Sequence, residues 1–150
     1  MPLYRGDATE RRALSAYVKL IRASESVHAF AMHGLIDEGL TPTQFSVLEV
    51  LYHLGPLYLS DIARKVLKTG GNLTMVVNNL VRCGLVRRSK NAEDRRYVLI
   101  ELTAKGRELM RQVFPRHAAQ IVEAMAGLTA SEQKQLAGLC RKLGTSLTTK

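Results

Sequence analysis

The stretch from Gly55 to Gly84 constrains the fold more than any other part of the chain. Two apolar-periodic segments flank Lys68-Thr69-Gly70-Gly71, and a glycine pair there breaks any continuous helix. The first segment predicts a short helix from about Ser60 to Leu67, with Ile62, Ala63 and Val66 apolar. The second predicts another, from Gly71 or Asn72 to Cys83, with a stripe of Leu73, Val76 or Val77, Leu80 and Val81. Gly84 then suits a left-handed C-cap, with Leu85 packing back over the last turn. Two short helices joined by a tight glycine turn form a helix-turn-helix. Directly after it, Leu85 to Lys90 and Tyr97 to Leu102 read as two strands, Val98, Ile100 and Leu102 alternating with Leu99 and Glu101. The polar connection Asn91-Ala92-Glu93-Asp94-Arg95-Arg96 closes them into a hairpin, placed as a wing.

The flanks read as helices. Leu40-Thr41-Pro42-Thr43-Gln44 carries a capping box with Pro at the first helical position, and opens a helix that runs to about Leu54, where Gly55-Pro56 stops it. Leu128-Thr129-Ala130-Ser131-Glu132 repeats the box and opens a last helix to about Leu147. Thr103 opens another, to about Ala126, with Pro115 predicting a kink inside it. A long first helix spans Ala8 to about Met32. These terminal helices carry much apolar surface, including Leu14, Tyr17, Val18, Val122, Leu139 and Leu143. One chain offers little to cover it, so a helical interface with a second copy is expected. The fold class is mainly α with a small antiparallel β-hairpin. Residues 40–103 would form the winged region and 8–36 with 115–150 the dimerisation region of a single domain.

Charge points to a polyanion. The chain of 150 residues has a net charge of +9, and the segment Arg64 to Arg96 alone carries +7: nine basic side chains against Glu93 and Asp94. The preceding stretch from Ala23 to Ala63 has no Lys or Arg and five acids. A basic middle beside an acidic flank is the footprint of a nucleic-acid surface. With 5% aromatic residues and no Trp, stacking on single strands is poorly supplied. No apolar run is long enough to span a bilayer and the start lacks a signal-peptide core, so a cytoplasmic protein with no membrane partner is expected. There is no nucleophile elbow, phosphate loop, His-Glu-x-x-His or carboxylate cluster, which argues against an enzyme. No metal site or cofactor is expected. Cys83 and Cys140 cannot build a disulfide framework and read as reduced, partly buried thiols.

Taken in order, Leu40-Thr41-x-x-Gln44-Phe45-x-Val47-Leu48, Leu59-Ser60-Asp61-Ile62-Ala63, Gly70-Gly71-Asn72-Leu73-Thr74-x-x-Val77-x-Asn79-Leu80, Gly84-Leu85-Val86-x-Arg88 and Glu93-Asp94-Arg95-Arg96-x-x-x-Ile100-x-Leu102-Thr103-x-x-Gly106 resemble the MarR family of bacterial transcription regulators. The resemblance runs from about residue 10 to residue 147. It implies a homodimer joined through its terminal helices, with winged lobes that bind double-stranded DNA. It also implies repression relieved by a small, often phenolic or aromatic, ligand; some such proteins respond instead to cysteine oxidation.

On this reading the second short helix enters the major groove. Asn72, Thr74, Met75, Asn78, Asn79 and Arg82 remain once its apolar stripe is removed. Asn matches adenine, and Thr offers a hydroxyl and a methyl to a T·A pair. Thr69 or Asn72 caps the helix instead of reading bases. Arg95 or Arg96 would meet a narrow minor groove. The resemblance implies that Asp94 orients Arg96 through an ion pair; otherwise the two merely stabilise the turn. Lys68, Arg88 and Lys90, with Arg64, Lys65 and Arg87, read as phosphate clamps. Two such heads about 34 Å apart require a pseudo-palindromic operator. Phe30, His33, Phe45, Leu48 and Tyr52 are the implied effector-site residues, followed by Tyr17 and His28. Cys83, beside Arg82, is the candidate for an oxidation switch. The rival to DNA binding is a winged-helix protein–protein adaptor, which has no need of the basic wing.

Overall fold

The computed structural model describes residues 4–66 and 72–148. The expected glycine turn, with Thr69 as a possible cap and Lys68 as a clamp, lies outside the described residues. Among the described residues, six helices and three strands follow in order: α1 Ala8–His33, α2 Pro42–Leu54, β1 Leu57–Tyr58, α3 Leu59–Lys65, α4 Leu73–Arg82, β2 Val86–Lys90, β3 Val98–Leu102, α5 Ala104–Ala124 and α6 Ala130–Thr148, with a 3-10 turn at Ile36–Glu38. The chain divides into two compact units, Met32–Ala118 and the residues on either side of it.

The Met32–Ala118 unit holds the core. Phe45, Val47, Leu48 and Leu51 of α2 pack with Ile62 of α3, Val77 and Leu80 of α4, Val86 and Ile100 of the sheet and Met110 and Val113 of α5. The capping box that starts α2 is complete: Gln44 N–H donates to Thr41 Oγ1 at 3.1 Å, and Thr41 N–H donates to Gln44 Oε1 at 3.0 Å. Gly55, at φ 79, ends α2. α3 stops at Lys65, with Val66 extended. α5 continues through Pro115 as one helix.

The hairpin is one strand short of the observed sheet. β1 pairs antiparallel with β3 (Leu57↔Ile100, Tyr58↔Leu99), so the order is β1-β3-β2 with β3 central. Two residues are too few to show the alternation by which a strand is read in sequence.

The other unit contains most of α1, the end of α5, and α6. α1 starts on a capping box of its own: Glu10 N–H donates to Asp7 Oδ1 and Asp7 N–H to Glu10 Oε2, both at 2.8 Å. α6 starts on the expected one, Thr129 N–H donating to Glu132 Oε2 at 2.7 Å. That bond first, then one with the Thr129 side chain, holds the Glu132 carboxyl below its ordinary pKa. None of the described residues of α6 is buried, and Tyr17, Val122, Leu139 and Leu147 lie exposed. Among the described residues no helix is long and apolar enough to cross a membrane.

Candidate nucleic-acid interface

α4 is amphipathic because its apolar residues recur at helical spacing. Val77 and Leu80 are buried and Leu73, Val76 and Asn79 half-buried, which leaves Thr74, Met75, Asn78 and Arg82 on the exposed side. Val81, expected in the apolar stripe, is 37% exposed, at the edge of that stripe rather than inside it. Asn72 is the N-cap, its Oδ1 accepting from Thr74 N–H at 3.0 Å. Its amide nitrogen is left for another partner, so capping and base reading are compatible at this position.

The C-terminal end of α4 is held by a collar. Gly84, at φ 72, closes a Schellman turn, with Leu85 N–H donating to Leu80 O at 3.0 Å and Gly84 N–H to Val81 O at 2.9 Å. The carbonyls beyond are taken up from the start of α5. Lys105 Nζ donates to Cys83 O at 2.9 Å and Thr103 Oγ1 to Gly84 O at 2.6 Å. A lysine ammonium suits a helix C-terminus on electrostatic grounds too. Thr103 is part of the family-like motif and opens α5, but nothing in the sequence assigns it or Lys105 this role.

The wing carries a fork. Arg96 Nε donates to Asp94 Oδ1 at 3.0 Å and Nη2 to Oδ2 at 2.7 Å, while Arg96 N–H also donates to Oδ1 at 3.0 Å. The Arg96 guanidinium, then its backbone N–H, hold the Asp94 carboxyl below its ordinary pKa; the carboxylate in turn raises Arg96. Asp94 is 30% exposed and Arg96 87%, so the guanidinium is the outward end of the pair. Tyr58, Ser60, Asn72, Thr74, Arg96 and Tyr97 share the lining of one cleft of about 470 Å³. The wing arginine and the first turn of α4 thus stand on one rim.

Arg88, Lys90 and Arg95 are exposed. Two other expected clamps are engaged within the chain. Arg64 pairs with Asp61 three residues earlier, and Arg87 Nε donates to Glu101 Oε1 across the β2–β3 pair at 2.6 Å. The Glu101 hydrogen bond, then its charge, raises Arg87. Lys65 is exposed.

The expected effector residues separate. Phe45 and Leu48 have no exposed surface: they are core, because α2 turns that face toward α4 and α5. His33 and Phe30 are exposed, and Tyr52 is half-buried. Tyr52 belongs to a ring cluster that single-helix patterns could not disclose. His53 stacks edge-on against Phe114 at 4.6 Å, Tyr52 lies 6.0 Å from Phe114, and buried His117 packs on Phe45 at 4.4 Å. Cys83 and Cys140 are both exposed, not partly buried as expected: Cys83 caps α4 beyond its last buried turn, and α6 buries none of its described residues in the single chain. No group of three His, Cys, Asp or Glu among the described residues could hold a metal ion.

The MarR family profile matches residues 40–98. The HTH-type transcriptional regulator YkoM of Bacillus subtilis, itself uncharacterized, is 38% identical over 133 residues, covering 89% of this chain and 86% of that protein. MhqR, an HTH-type transcriptional regulator of the same organism, is 34% identical, covering 89% and 92%. Among solved structures, Bordetella bronchiseptica BpsR, whose DNA binding is regulated by 6-hydroxynicotinic acid, matches with a TM-score of 0.76 at 30% identity, covering 87% of this chain and 98% of that one. The chain therefore belongs to the MarR family: it is a winged helix-turn-helix, DNA-binding transcription regulator and not an enzyme.

Proposed function

We propose that the chain acts in the cytoplasm as a homodimeric repressor that grips a pseudo-palindromic operator and releases it when a small phenolic or aromatic ligand binds. Residues 40–103 read DNA, and 8–36 with 115–150 join the two copies. The observation that carries the reading is the shared rim of α4 and the wing: Asn72 and Thr74 face one cleft with the forked, exposed Arg96. Such an arrangement suits side chains of α4 in the major groove and a guanidinium in the minor groove beside it. Asn78, Asn79, Met75 and Arg82 extend the base-reading side, and Arg88, Lys90, Arg95 and Lys68 bind phosphates. The exposed apolar residues of α1 and α6 supply the dimer contact. A ligand of aromatic type finds support in the half-buried Tyr52 beside His53 and Phe114, and in BpsR's regulation by an aromatic acid.

Selecting bound sites from a random duplex library tests this. The expected result is an inverted repeat with half-site centres about one helical turn apart. On that duplex, Arg96→Ala weakens binding about ten- to a hundredfold, and simple phenols or hydroxylated aromatic acids release the wild-type protein. A selected motif without symmetry, or an Arg96→Ala protein that binds as wild type does, overturns the reading.

A further inference from the structure

The wing loop is tied to itself more than to the rest of the lobe. Asn91 N–H donates to Tyr97 O at 3.0 Å, Tyr97 N–H to Asp94 O at 3.1 Å, and Glu93 N–H to Asn91 Oδ1 at 2.9 Å. These bonds, with the Asp94–Arg96 fork, close residues 91–97 on themselves. Among the described residues, one side-chain hydrogen bond leaves the loop for another element: Asn91 Nδ2 donates to the Tyr58 hydroxyl at 3.3 Å. Tyr58 also packs its ring on Tyr97, centroids 5.7 Å apart. Tyr58 is the last residue of β1 and adjoins α3, where the helix-turn-helix begins. Its pairing with β3 stops at Leu99, so beyond that point the backbone ladder no longer ties the wing to β1.

We infer that Tyr58 is a positioning residue for DNA binding: through Asn91 and Tyr97 it fixes the wing, and with it Arg96, at a set distance from α4. This rests on the reading of Arg96 as a DNA contact. Without the latch the loop keeps its internal bonds but pivots about the end of the β2–β3 pair, and the arginine meets the groove less often in register.

The test is a double-mutant cycle on a duplex selected by the wild-type protein. Tyr58→Phe deletes only the hydroxyl and keeps the ring on Tyr97; Asn91→Ala deletes the other partner together with the bond its Oδ1 accepts from Glu93 N–H, so it serves as the background in which Tyr58→Phe has nothing left to remove. Tyr58→Phe should weaken binding about three- to tenfold, the worth of one hydrogen bond; Asn91→Ala should weaken it at least as much, and the two together should cost little more than Asn91→Ala alone. In an Arg96→Ala background, Tyr58→Phe should change affinity less than twofold. A purely structural role would instead weaken binding by the same factor in both backgrounds, and that result overturns the inference, as does a Tyr58→Phe protein binding like wild type while Arg96→Ala does not. If Arg96→Ala itself leaves binding intact, the wing contact fails and the inference falls with it.

Discussion

At the scale of single residues, Asp94 decides what the wing presents. Four hydrogen bonds from Arg96 converge on its carboxylate, Nε reaching both oxygens, and the charge-assisted guanidinium bonds are strongest to the ionised form. The lowered carboxyl pKa means that the fork contributes fully above the ordinary aspartate range and is lost only as pH falls through the depressed folded-state value. Carbon-detected NMR titration of the Asp94 carboxyl should therefore show a midpoint below that of an unpaired aspartate. In Arg96→Ala the midpoint should climb back toward the ordinary value, because the largest cause of the shift has gone. An identical midpoint in both proteins would assign the shift to something other than the fork. Because both groups lie at the surface, solvent screens the pair, so its importance is geometric more than energetic. It aims a guanidinium that would otherwise sample many rotamers.

At the scale of elements, the start of α5 fixes where α4 ends. A Cβ added to Gly106 would stand 2.0 Å from Leu85 O, a backbone atom that already accepts from Thr103 N–H at 3.1 Å. Replacing a helical glycine by alanine ordinarily stabilises a helix by about 1 kcal/mol. Here the sign reverses: Gly106→Ala should destabilise the protein by about 1–3 kcal/mol, since the collar must spread to admit the methyl. Urea unfolding reads this directly, and a midpoint at or above the wild-type value would show that the collar yields without cost. Elements of this kind differ in how far sequence discloses them. Thr41, Thr129 and Gly84 act locally, through partners three to five residues away, so caps and turns could be read in advance. Asp7-Ala8-Thr9-Glu10 has the same grammar and caps α1 in the same local way. β1 was hidden because its existence depends on β3, some forty residues on. The same division holds at the interface. The basic run was visible, and the pairing of Asp61 with Arg64 follows from spacing, but Glu101 takes Arg87 only once β2 and β3 align. Phe45 and Leu48 could not be separated from Tyr52 by type or spacing; burial by α4 and α5 separates them.

At the scale of the whole molecule, the exposed apolar residues are the feature a single chain leaves unexplained. Leu136, Leu139, Leu143 and Leu147 recur along α6 at three- and four-residue steps, and Leu139 is 65% exposed. Leucines so spaced form one stripe, and covering a stripe of this kind yields about 25 cal/mol per Å² of apolar surface. A second copy with the same stripe satisfies both at once, as two-fold symmetry requires. Placing a charge in the stripe makes that burial unfavourable without touching α4 or the wing. Leu139→Glu combined with Leu143→Glu should therefore sediment as a single subunit at micromolar concentration where the wild type sediments as two. Operator affinity should drop by more than a hundredfold, because a half-site held by one lobe no longer gains from its tethered neighbour. Retention on random duplex at low salt should persist, since it depends on the lobe's own phosphate contacts. Loss of both kinds of binding would mean that the variant had unfolded, which circular dichroism would register. A dimer that survives both charges would place the interface elsewhere.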